Sequence, residues 1–213
     1  MGMEEKIDFI SSNVNCEHHT KDEMFNFYYA LKNIPTGMEG CIVECGTIKG
    51  GSTAKFSLFA KELNRKLDVF DSFRGIPKND EPHIHGLFGI YIGGPFKEGA
   101  FCGNLAEVKS NISKFGEIDV CEFHEGWFED TMVNFDKPIV AIYLDVDLVS
   151  STKTCLKYLY PLLQPGGIVF SQDAHIPLIV NLFEDDKFWN EELGTEKPII
   201  HGLRKSKVIN FTK

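Results

Sequence analysis

The run Cys41-Ile-Val-Glu-Cys45 is short and apolar, ends at Gly46, and passes through Gly50-Gly51 into a helical pattern over 52–64. A buried strand that turns through glycine into a helix commits a chain to layered α/β packing, because the helix must fold back over the strand it has just left. The alternation then recurs. Segments 67–71, 118–124, 139–145 and 168–171 read as strands, and 105–115, 151–163 and 178–192 as helices. The pattern predicts an α/β fold: a doubly wound, mostly parallel seven-stranded sheet with helices on both faces, finished by a hairpin from 198–201 and 207–211 around a basic turn. Ligands on such sheets bind beyond the carboxyl ends of the strands.

At 213 residues, 43% hydrophobic and with 18 Phe, the chain can bury one substantial core, so 1–213 reads as a single domain. Thr20-Lys-Asp-Glu23 forms a capping box that opens an aromatic helix to about Asn33, stopped by Pro35 and Gly37; 1–37 is read as an N-terminal helical cap. Between 74 and 104 periodicity dissolves, with six glycines from 86 to 103 among Pro, His and Phe, the mark of a lid-like loop. The net charge of −9 and the lack of a Lys/Arg stripe argue against a nucleic-acid partner. No apolar run is long enough to span a membrane, and Glu4, Glu5 and Lys6 interrupt any leader-like core, so a cytoplasmic protein is expected. The six cysteines are scattered without a CxxC pair and read as reduced thiols, neither a zinc site nor a disulfide framework.

The chemistry-bearing residues cluster just after the strands. In the first turn, Glu44, Gly46, Gly50 and Ser52 are candidate ligand contacts; the Gly-x3-Gly spacing is not the pyrophosphate fingerprint, and Glu44 favours a cationic ligand. S-adenosylmethionine, with an amino group, a sulfonium and no phosphate, suits this turn, although an ordinary Gly-rich turn would look similar. Asp71 ends the second strand, where a carboxylate can accept from both ribose hydroxyls. Gly126, Trp127 and Phe128 follow the third strand as an adenine edge and aromatic wall, with core packing the plain alternative for the two rings. Asp145, with Asp147 nearby, and the pair Gln172-Asp173 end two successive strands. Oxygens from Asp145, Gln172 and Asp173 suit Mg²⁺, which could acidify and orient an acceptor hydroxyl. A solvated acidic rim capping helix termini is the alternative.

Two rival readings stay open on these residues. Asp145-Val-Asp147 is also the DxD of metal-dependent glycosyltransferases, which leaves the Glu44–Gly51 turn without a role. A non-catalytic nucleoside-binding module on the same fold would keep the cofactor turn and lose metal chemistry through Gln172. The aromatic N-terminal helix (Phe25, Phe27, Tyr28, Tyr29) could close over a small-molecule acceptor or pack against a second copy as a homodimer.

The chain resembles the macrocin O-methyltransferase family in Val43-Glu-Cys-Gly46 through Gly51-Ser52, Asp71-Ser-Phe-Arg-Gly-Ile-Pro77, Gly126-Trp-Phe-Glu-Asp-Thr131, and Leu144-Asp-Val-Asp-Leu through Tyr160-Pro-Leu-Leu-Gln-Pro-Gly-Gly167. The resemblance covers about residues 40 to 175. It implies a class I, Rossmann-like methyltransferase fold, S-adenosylmethionine as cofactor, a hydroxyl of a sugar or polyol as acceptor, and Mg²⁺ held by three acidic residues. Asp145 and Asp173 match two of those positions; Gln172 stands where the family has a further Asp, one negative charge fewer. His175 stands where the family has a small or neutral residue. Family members draw a general base from the mobile region over the site, which points to His83 and His85 in the Gly-rich loop.

Overall fold

The computed structural model describes residues 1–14 and 19–213. Six strands, β1 (Cys41–Cys45), β2 (Leu67–Asp71), β3 (Cys121–Glu125), β4 (Ile139–Leu144), β5 (Leu163–Ser171) and β6 (Ile209–Thr212), form one sheet in the order β3-β2-β1-β4-β5-β6. All neighbours are parallel except β6, which runs antiparallel to β5. The helices are α1 (Met3–Asn13), α2 (Lys21–Lys32), α3 (Gly51–Glu62), α4 (Leu105–Phe115), α5 (Phe128–Thr131), α6 (Val149–Leu159) and α7 (Pro177–Glu184).

Strand alternation splits the apolar residues between two cores. Cys41, Val43 and Cys45 of β1 join Ile142 and Leu144 of β4 on the face covered by α6 and α7. Ile42 looks the other way, with Val69 and Tyr143, toward α1 to α4. On that second face Phe27 of α2 packs edge-on to Phe56, Tyr143 and Phe170, with centroids 4.8 to 5.1 Å apart. A buried ring of this kind stabilises by roughly 2 kcal/mol. The capping box holds α2 at its start: Glu23 N–H donates to Thr20 Oγ1 at 3.2 Å, and Thr20 N–H to Glu23 Oε2 at 2.8 Å.

The structure departs from expectation in the last third. The terminal hairpin contracts to one bridge, His201 to Asn210, so the sheet has six strands rather than seven. Pro198 offers no N–H to a ladder and Ile199 is 81% exposed, so no core holds a second strand there. The helix expected over 178–192 divides at Asp185, whose side chain accepts from Lys187 N–H at 3.0 Å. The chain resumes as a wide turn, Phe188–Glu192, that buries Trp189. Pro161 closes α6 in a tight turn, and β5 starts at Leu163, ahead of the expected 168. Cys16 lies outside the described residues; the other cysteines are free thiols. Among the described residues no helix is long and apolar enough to cross a membrane.

Candidate active site

The strand order reverses between β1 and β4, and the crevice at their carboxyl ends is where a doubly wound sheet leaves room for a ligand. Asp145 N–H donates to the Cys45 carbonyl at 3.0 Å, drawing the two strand ends together. Gly46, at φ +85°, makes that approach possible: a Cβ there would run into the Asp145 carbonyl oxygen. A cleft of about 300 Å³ opens here, lined by Gly46, Asp71, Gly126, Trp127, Phe128 and Asp145. The carboxylate of Asp71 is fixed by Thr47 N–H at 2.8 Å on one oxygen and Phe73 N–H at 2.7 Å on the other. Ile48 N–H also acts on this carboxylate, which still has accepting capacity for a ligand hydroxyl. A bare glycine edge, an oriented carboxylate and two aromatic rings fit a nucleoside such as that of S-adenosylmethionine.

Glu44, Gly50 and Ser52 sit apart from this wall. Because β1 runs on through Cys45, alternation turns Glu44 under α3, where it is fully buried and accepts from Ser52 Oγ at 2.5 Å. Burial pushes its carboxyl up to about 8. Gly50 serves the helix start in a left-handed conformation, φ +84°, with Val108 of α4 close to where a Cβ would stand.

Oxygens of Asp145, Asp147 and Asp173 come within 4.8 Å of one another at the ends of β4 and β5. Asp173 Oδ2 accepts from Val146 N–H at 2.9 Å and Asp147 N–H at 3.1 Å, while its Oδ1 is buried without a partner among the described residues. Burial, then the neighbouring Asp145 and Asp147, raise the Asp173 carboxyl well above its ordinary range; burial and Asp145 bring Asp147 up to about 7. Asp147 adopts φ +60°, uncommon for a residue with a side chain. An all-oxygen group that crowds negative charge and leaves a buried oxygen open fits a hard divalent cation. Gln172, 2% exposed, adjoins the group.

A second cavity of about 570 Å³ lies across the carboxylates from the cleft. Asp145, Asp147, Ile48 and Phe101 line both. Its far wall is Tyr91, Ile92 and Phe96 from the loop, and its rim carries His175 and Lys207. The loop closes on itself through Ile76 N–H to Ala100 O and Gly99 N–H to Ile76 O, both 2.9 Å, and docks through Leu87 N–H to the His175 carbonyl at 2.6 Å.

His83 and His85 line neither cavity. The His83 ring is buried, with Nε2 3.0 Å from Glu81 Oε2. Glu81 in turn accepts from Val149 N–H (2.8 Å), Ser150 N–H (2.9 Å) and Ser150 Oγ (2.8 Å), capping α6. His85 is exposed and set against Tyr91. Sequence reasoning did not single out Glu81, His19 or Lys207 for this site, and it named Asp147 beside Asp145 without giving it a role in methyl transfer. Glu81 and His19 act across the fold, on partners far along the chain, so no local spacing announces them.

The chain matches the model of the macrocin-O-methyltransferase (TylF) family over residues 20–201. It is 29% identical over 165 residues to the 8-demethyl-8-(2,3-dimethoxy-alpha-L-rhamnosyl)-tetracenomycin-C 4'-O-methyltransferase of Streptomyces olivaceus, covering 71% of this chain and 59% of that protein. Demethyldecarbamoylnovobiocin O-methyltransferase of Streptomyces niveus is 30% identical over 145 residues, 66% of this chain and 55% of that one. The chain thus spans less than two thirds of the curated relatives it matches. The solved structure of the O-methyltransferase NovP superposes with a TM-score of 0.73 at 21% identity, covering 89% of this chain and 78% of that one, a likeness of fold.

Proposed function

The chain belongs to the macrocin-O-methyltransferase family, and from that premise we propose that it is an S-adenosylmethionine-dependent O-methyltransferase, acting with Mg²⁺ on a hydroxyl of a sugar or polyol. The observation that carries this reading is the shared wall: Asp145 and Asp147 stand between a nucleoside-sized cleft and a second cavity. A methyl donor in the first and an acceptor in the second would meet at those carboxylates. The two relatives act, by their names, on a rhamnosyl tetracenomycin and on a novobiocin precursor. Apolar rings in the loop wall would accommodate the body of a glycoside while its hydroxyl reaches the carboxylates.

Asp71 would bind the ribose, and Trp127 with Phe128 would flank the adenine. Asp145, Gln172 and Asp173 would hold the cation, which when bound supplies a Lewis acid that lowers the pKa of the acceptor hydroxyl. Asp147 lines both cavities and would take the proton of the acceptor hydroxyl; S-adenosylmethionine, when bound, would supply an activated methyl group to that oxygen, with the sulfur as leaving group. Phe96, half-buried in the loop wall, would limit water on the acceptor side. We assign the base to Asp147 rather than to His83 or His85, which line neither cavity.

Calorimetric titration with S-adenosylhomocysteine, with and without Mg²⁺, tests the cofactor and the cation together. Tight binding with a separate Mg²⁺ heat that disappears in Asp173→Ala is the expected result; binding of a nucleoside diphosphate instead would return the DxD glycosyltransferase reading. Asp147→Asn should lower kcat by roughly 10²–10⁴-fold, the usual worth of a positioned base, and weaken the cation far less than Asp173→Ala does. Loss of cation binding in that variant would move Asp147 into the ligand set.

A further inference from the structure

We propose that His19 is a positioning residue for Asp145, through which the N-terminal helices set the geometry of the cation site. The inference rests on the reading that Asp145 helps hold a cation. His19 stands one residue before Thr20, the N-cap of α2, and so just ahead of the span the family matches. Its Nε2 lies 3.4 Å from Asp145 Oδ2, and its side chain is only 5% exposed. The imidazole rests against the Tyr143 ring, centroids 5.7 Å apart, two residues upstream of Asp145 on β4.

Both ends of this contact are fixed. The capping box pins the backbone that follows His19, and Phe27 one turn further into α2 packs on Tyr143 at 5.0 Å. The backbone that carries the ring is therefore held in place relative to Tyr143 and Asp145. A carboxylate free to rotate about its Cβ–Cγ bond presents its oxygens in many directions. One with Oδ2 held beside an imidazole presents Oδ1 in few, and a cation gains by meeting oxygens already aimed. Asp173 has its own holders, two backbone N–H groups. His19 supplies the counterpart for Asp145 from a different layer of the fold.

The test is a calorimetric Mn²⁺ titration of the full chain in the presence of S-adenosylhomocysteine, comparing wild type with His19→Phe and His19→Gln. Phe keeps a flat ring on Tyr143 and removes the nitrogen; Gln returns an N–H near the same place. His19→Phe should weaken Mn²⁺ about tenfold, and His19→Gln should come within about threefold of wild type, as expected for a group that orients a ligand. Melting temperature and S-adenosylhomocysteine affinity should stay near wild type in both, and His19→Leu repeats the loss if the Phe variant does not fold. Unchanged Mn²⁺ affinity in His19→Phe or His19→Leu, or a Gln variant as weak as either, overturns the proposal and leaves the cation reading standing. A wild type that takes up no Mn²⁺ removes the cation reading and this inference with it.

Discussion

Among the described residues, two places bring three metal-capable side chains within 4.8 Å of one another, and they differ in how their charge is met. On the open edge of the sheet, Asp68 of β2 and Glu122 and His124 of β3 gather around Lys137, whose Nζ lies 2.7 Å from Asp68 and 2.7 Å from Glu122. His124 Nε2 meets the same Asp68 oxygen at 2.8 Å, its ring stacked on Phe70. Burial works against the Asp68 charge, yet His124 and Lys137 hold its carboxyl below the usual range. At the carboxyl ends of β4 and β5 the carboxyls of Asp147 and Asp173 are pushed the other way, and Asp173 keeps a buried oxygen open. The first group contains its own cation and is part of the scaffold. The second leaves Asp173 Oδ1 buried without a partner among the described residues, as the proposed cation would require.

The comparison predicts opposite phenotypes. Asp145→Asn should cut methyl transfer by more than about 10³-fold and abolish Mn²⁺ binding while the melting temperature holds, since it removes a ligand and little packing. Lys137→Met should do the reverse: unchanged Mn²⁺ affinity and a loss of about 1–3 kcal/mol in chemical denaturation, because Asp68 is left buried without its main counter-charge. The sign follows from the lowered Asp68 pKa. That stability is fully present above the unfolded carboxyl value of 3.8 and is lost as pH falls through the lower folded one. An active, metal-binding Asp145→Asn, or a Lys137→Met that stops binding metal, would erase the distinction between the two groups.

Glu81 shows a third way of meeting a buried charge, by backbone donors. Burial opposes its ionisation, and the N–H groups of Ser150 and Val149 more than compensate, so the carboxyl sits below its ordinary range. Since Ser150 and Ser151 line the first cleft, this latch ties the loop to the start of α6 beside the site. Glu81→Ala should cost about 1 kcal/mol as a lost helix cap. Its larger signature is dynamic: faster amide exchange over 74–104 and a several-fold rise in the acceptor KM with little change in kcat. Unaltered exchange would show that the loop is held by its other contacts.

How legible these arrangements are in the sequence follows the same division. Strand ends are written locally, as apolar runs that stop at Gly46, Asp71, Gly126 and Asp145, and the fold places those four around one cleft. Compensation is not written locally. Nothing around Lys137 says that it closes Asp68, and nothing around His83 distinguishes a ring held by Glu81 from one free to act as a base. Position within a strand also misleads by a single residue: Glu44 precedes Gly46 by two, and that parity turns it beneath α3 instead of into the cleft. The contraction of the last hairpin was hidden because Pro198-Ile-Ile-His201 is strand-like in composition but has no core beneath it.

Glu44 completes the series, because its buried carboxyl is met by a proton. Its folded value of about 8 lies above the unfolded 4.5, so the folded state binds the proton more tightly. The stabilisation is fully present below 4.5 and is lost as pH rises toward about 8, the opposite sense to Asp68. Glu44→Gln keeps an oxygen to accept from Ser52 Oγ and removes the ionisation. The variant should therefore match wild type under acidic conditions and melt higher than it near pH 8, with a pH profile that is flatter in between. Methyl transfer should change little, since Glu44 lines neither cavity. Parallel melting profiles for wild type and Glu44→Gln would mean that the buried carboxylate is met by something other than a proton; a lost affinity for S-adenosylhomocysteine would bring Glu44 back to the cofactor.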